Sequence, residues 1–85
     1  MKKEIDINDL PNDFAEQLCR RVGINVKRLR EANGMSQLQL ATAIGYKSVS
    51  PISSGEIYYR KIHFNIEHLG KIAHVLDVEI SEFFK

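Results

Sequence analysis

Eighty-five residues, 44% hydrophobic and 27% charged, bound this chain to one soluble globular domain with a modest core. No apolar run approaches the roughly 18 residues of a membrane span, and the opening MKKEIDINDLP lacks a signal-peptide core. Cys19 is the only cysteine, which excludes an internal disulfide and suits a reducing cytoplasm, the expected location.

The net charge of +1 hides a division along the chain. Residues 1–19 carry two lysines against five acids, residues 20–61 eight bases against two acids, and residues 62–85 two against four. A polyanion meeting the middle segment would find a positive surface, although a solvated basic helix face accounts for the same charges.

In chain order, Met1 to Pro11 reads as an arm or a short edge strand, with Ile5 and Ile7 in alternation before Asn8, Asp9 and Pro11. Asn12 or Asp13 can cap a first helix. Its apolar stripe is Phe14, Leu18, Val22, Val26 and Leu29, at spacings fit for burial. Gly23 interrupts it at a cost of up to about 1 kcal/mol relative to alanine, so a bend or two separate helices are both open. Asn33-Gly34 closes this region, because glycine enters the left-handed conformation without steric cost.

Ser36 opens the next helix. With Gln39 three residues on it forms a capping box, in which each side chain meets the other's backbone N–H. Leu40, Ala41 and Ile44 share one face, and Gly45 stops the helix after about two turns. Ser48-Val49-Ser50-Pro51 is a new start signal, since proline is tolerated in the first turn, whose N–H groups lack intrahelical partners. Two short helices, a glycine turn and small Ala41 where they can cross closely make a helix-turn-helix pattern over about residues 36–59.

The stretch IYYRKIHFN has no clear period and is expected to be part helix extension, part loop. Asn65 can cap IEHLGKIAHVL, whose face is Ile66, Leu69, Ile72, Ala73 and Leu76. A short last helix carries Ile80, Phe83 and Phe84. The expectation is an all-α, compact five-helix domain over residues 13–85 behind an arm of residues 1–12.

No enzyme, metal or cofactor is expected. His63, His68 and His74 do not fall at the i, i+4 spacing of paired ligands on one helix face. The serine cluster at 48, 50, 53 and 54 has no triad order beside it. Short hydroxyls at a helix start do suit contacts to phosphates or base edges, helped by the partial positive charge of the helix N-terminus. Each serine is equally compatible with a plain capping or solvent-facing role.

RLREANGMSQLQLATAIG and the later NIEHLGKIAHVLDVEISEFF together carry a family resemblance. The features are Leu29-Arg30 before the glycine, Ser36-Gln37 opening the second helix, Leu40-Ala41 within it, Gly45 at the turn, Ile52-Ser53 in the recognition helix and Glu56 near its end. Ile72-Ala73, Leu76, Val78 and Phe83 follow. Over about residues 22–84 the chain resembles the phage-repressor/Cro (XRE-type) helix-turn-helix family, especially small stand-alone members such as restriction-modification controller proteins. Gly55 departs from that pattern, standing where the family is normally apolar, which implies thinner packing under the recognition helix.

The resemblance implies a sequence-specific, dimeric DNA-binding transcription regulator of a prokaryote or phage, a homodimer on a palindromic operator in double-stranded DNA. Ser36 and Gln37 would then dock on phosphate, while Lys47, Ser48, Ser50, Ser53 and Ser54 face the major groove. Arg60 and Lys61 would clamp backbone phosphates. Phe83 and Phe84 lie so near the end of the chain that at most one can easily face the core, so the pair is the candidate dimer interface. The alternative is an antitoxin or other protein-interaction module with secondary DNA binding; neither reading calls for a small-molecule ligand.

Overall fold

Phe14 to Ala32 forms one uninterrupted helix, α1, with Gly23 buried at its middle. The computed structural model describes residues 5–85, and these hold four α-helices, three 3-10 segments and no strand. The other helices are α2 (Gln37–Ala43), α3 (Ser50–Ile57) and α4 (Ile66–Leu76). The 3-10 segments are Ile7–Asp9, Tyr59–Lys61 and Ile80–Phe84. The last of these is the expected fifth helix in a tighter form. Of the expected arm, residues 1–4 lie outside the described residues, and Ile7–Asp9 is a 3-10 turn rather than a strand.

Local chemistry sets the helix ends. At the end of α1 the Met35 N–H reaches the Arg30 carbonyl at 3.1 Å and the Gly34 N–H the Glu31 carbonyl at 2.9 Å, with Gly34 at φ +68°. Such a paired closure needs one left-handed residue, which glycine supplies. The same closure recurs after α2, where Tyr46 and Gly45 donate to Ala41 and Thr42. The Ser36 capping box forms as expected: the Gln39 N–H donates to the Ser36 hydroxyl at 3.0 Å, and the Ser36 N–H to Gln39 Oε1 at 2.7 Å. Asn65 caps α4 in the same manner with His68 as the reciprocal member. His68 Nε2 also hydrogen-bonds the Tyr46 hydroxyl, linking the α2–α3 turn to α4.

The core lies where the four helices meet, around Val26, Leu40, Ile52, Ile72, Leu76 and Phe83, each at most 2% exposed. Ala41 is fully buried in α2, which packs on α3. Replacing it with leucine should cost about 1–3 kcal/mol by overpacking. Urea denaturation measures this, and an unchanged midpoint would show that the two helices do not cross closely there.

Two apolar positions expected inside are outside. Phe14 is 41% exposed and Ile66 72%. Periodicity identifies a face, but burial needs an opposing element, and among the described residues none lies over the first turns of α1. Cys19 is half-buried, in line with a small apolar role. The thin packing expected at Gly55 is also corrected. A Cβ there would come within 2.7 Å of the Phe64 ring, so the aromatic side chain fills the space that a larger residue would take.

Candidate nucleic-acid interface

The second helix of the motif, α3, divides cleanly into faces. Ile52, Gly55 and Glu56 are buried, whereas Ser50, Ser53, Ser54 and Ile57, at spacings of three and four, look outward. Lys47 and Ser48 are exposed in the turn just before the helix. Of the five residues expected to read bases, Ser50, Ser53 and Ser54 thus share one face of α3, and Lys47 and Ser48 precede it in the exposed turn. Ser50 is exposed, and Ser53 and Ser54 are half-buried; the Ser53 hydroxyl leans toward the Ser50 carbonyl at 3.4 Å. Val49 caps α3 without a side-chain bond, so the serine hydroxyls of the turn are not consumed in capping it.

What holds that face in place is a buried ion pair absent from the sequence reading. Glu56, with a side chain 0% exposed, accepts from Arg30 Nε at 2.7 Å and from its second terminal nitrogen at 3.1 Å. The remaining Arg30 nitrogen donates to the Met35 carbonyl at 2.8 Å. Gln37 Nε2 donates to the same carboxylate at 2.9 Å. One carboxylate thus ties α3 to α1 and to the start of α2, with the forked, two-point geometry that makes arginine–carboxylate pairs directional. The hydrogen bonding of Arg30 to the Glu56 carboxylate chiefly holds the Arg30 pKa above its ordinary value, against the opposing effect of burial.

The residues expected to contact phosphate fare unevenly. The Ser36 hydroxyl is occupied as a cap, and the Gln37 carboxamide turns inward to Glu56, so both first build the motif. Arg60 and Lys61 remain exposed. The chain leaves α3 through Tyr58 at φ 57°, and Arg60 and Lys61 follow at φ 52° and 65°. Left-handed turns by non-glycine residues cost roughly 1–2 kcal/mol each, and here they bring two cations to the surface directly after α3. The Arg60 guanidinium lies 5.4 Å from the centre of the Tyr59 ring. Phe83 is fully buried, so its place in the expected interface is corrected: the carbonyls of Phe83 and Lys85 accept from Asn25, drawing the C-terminal turn onto α1 and leaving only Phe84 at the surface.

The helix-turn-helix family model matches residues 26–83, which takes in every element from the second half of α1 to the C-terminal turn. The chain belongs to the XRE-type helix-turn-helix family. In structure it is similar to the restriction-modification controller protein C.AhdI from Aeromonas hydrophila, at a TM-score of 0.68 and 30% identity. The match covers 78% of this chain and 96% of that one. No curated protein matches the chain by sequence. Among the described residues no helix is long and apolar enough to cross a membrane.

Proposed function

We propose that this DNA-binding transcription regulator acts in the cytoplasm as a homodimer on a palindromic operator. The observation that carries the reading is the serine face of α3, turned outward while Glu56 and Arg30 lock the opposite face to α1. A recognition helix has to be rigid relative to the rest of the domain if side-chain hydroxyls are to find base edges, and short serines leave the backbone free to approach the groove. Lys47, Ser48, Ser50, Ser53 and Ser54 supply the base-reading contacts. Arg60 and Lys61 supply sequence-independent phosphate contacts, and the start of α2, through Ser36 and Gln37, completes the backbone docking. The similar controller protein supports the regulatory role. Exposed Phe84 supports pairing of two copies through the C-terminal turn.

Selection from a random duplex pool, followed by binding titrations at several salt concentrations, tests this. Arg60→Ala or Lys61→Ala removes two phosphate contacts per dimer. Each lost contact should flatten the slope of log affinity against log salt by about 0.9. Ser54→Ala should instead weaken the selected site by about 1–3 kcal/mol, spare random DNA and leave the slope unchanged. If no duplex outcompetes random DNA, the regulator reading fails.

A further inference from the structure

Only from Leu18 onward does α1 meet the rest of the domain: Leu18 lines a groove with Phe64, and Arg20 donates to the Ile57 carbonyl at 3.2 Å and lies over the Tyr58 ring. Residues 11–17 are exposed throughout, and the described residues extend 48 Å along their long axis against 28 and 19 Å across. The family match begins at residue 26, so the start of α1 lies outside the matched residues. Yet it carries an apolar row. Phe14, 41% exposed, is followed one turn on by half-buried Leu18. Leu18 in turn lines an open groove of about 270 Å³ with Val22, Phe64, Ile66 and Phe84. Phe84 and Ile66 are themselves 40% and 72% exposed.

The charges beside this row run in one order, acidic first and basic second. Asp13 and Glu16 precede Arg20 and Arg21. Glu16 and Arg20 already pair within the helix at 2.8 Å, whereas Asp13 accepts only the Gln17 carboxamide and Arg21 forms no ion pair among the described residues. A parallel neighbour of the same sequence would set acid against acid. An antiparallel one, crossing at Gln17, sets Asp13 of each copy beside Arg21 of the other and brings the Phe14–Leu18 rows together. Self-complementarity of this sort is what a two-fold interface requires, since every contact is made twice.

We infer that a second copy of this chain docks antiparallel on the first half of α1, continuing onto the groove at Phe84. This rests on the homodimer reading and names the surface that makes it. Exposed ion pairs are individually weak, but reversing one charge converts two attractions per dimer into two repulsions. Asp13→Arg and Arg21→Asp should therefore each weaken self-association by at least about tenfold.

Sedimentation of the full chain at micromolar concentration provides the test, with circular dichroism verifying that each variant stays helical. Each variant alone should sediment mainly as monomer. An equimolar mixture of the two should recover the dimer mass, because in the mixed pair both contacts are again attractive. A purely intrachain role for Asp13 or Arg21 cannot produce that recovery. Variants that associate like the parent, or a mixture no heavier than its components, overturn the inference. If Phe84→Asp abolishes the dimer while the charge variants change nothing, the homodimer reading stands and the α1 surface falls. A parent that is monomeric yet still binds its selected duplex overturns both.

Discussion

Replacing Glu56 with alanine is expected to destabilise the fold by about 3–5 kcal/mol, the cost of leaving a buried partner charge unpaired. Arg30, with a side chain 7% exposed, would keep only its bond to the Met35 carbonyl and lose both carboxylate contacts. Gln37 would lose its acceptor as well. Removing both charges together is a different experiment. Arg30→Met with Glu56→Leu restores apolar matter without an orphaned ion, and buried pairs exchanged in this way are often neutral or stabilising. The double variant should therefore be far more stable than Glu56→Ala, with a coupling energy that denaturation of both single variants and the double one would measure. A loss below about 1 kcal/mol for Glu56→Ala would mean that water reaches the pair.

The pH dependence has a definite sign on the arginine side. The folded-state pKa of Arg30 is raised, so its contribution is complete below the unfolded value and is lost only as pH rises through the folded one. Both lie in strongly alkaline solution, and across the neutral range Arg30 contributes no pH dependence.

The features legible in the sequence are those with a local signature. Ser36 and Gln39 are three residues apart and identify a capping box without reference to anything else, and Gly34 and Gly45 mark helix ends by the dihedral angle they permit. The serine face of α3 follows from spacing once Ile52 and Glu56 are placed inward. The Arg30–Glu56 pair is illegible for the opposite reason. The two are 26 residues apart, and nothing local distinguishes that glutamate from an exposed one. A pattern rule reads Phe14 and Ile66 as buried because it counts apolar positions and does not know which elements lie opposite them. Gly55 departs from the family's apolar pattern and so implies a gap, whereas its packing is decided by Phe64, nine positions on and reached through a turn with no sequence period.

Gly23 is the sharpest case, because local propensity predicts the wrong sign for its replacement. In an isolated helix, alanine should be better than glycine by up to about 1 kcal/mol. Here a Cβ would stand 2.5 Å from the Glu56 carbonyl oxygen and 2.7 Å from that of Gly55, at the point where α1 crosses α3. These are backbone atoms and cannot rotate aside, so the helices themselves have to part. Such overpacking belongs at the upper end of the usual range, about 3 kcal/mol, which exceeds the propensity gain. Gly70 is the internal control. It lies in the middle of α4, exposed, with nothing within 4 Å of a Cβ, so Gly70→Ala should stabilise by about 0.5–1 kcal/mol. The same substitution in two helices of one protein should thus shift stability in opposite directions, by about 3 kcal/mol between them. Because parting α1 from α3 also moves the serine face, Gly23→Ala should weaken binding to a selected duplex more than binding to random DNA. Thermal melts and paired titrations check both parts. A Gly23→Ala protein as stable as Gly70→Ala would place α1 and α3 further apart than the structure has them.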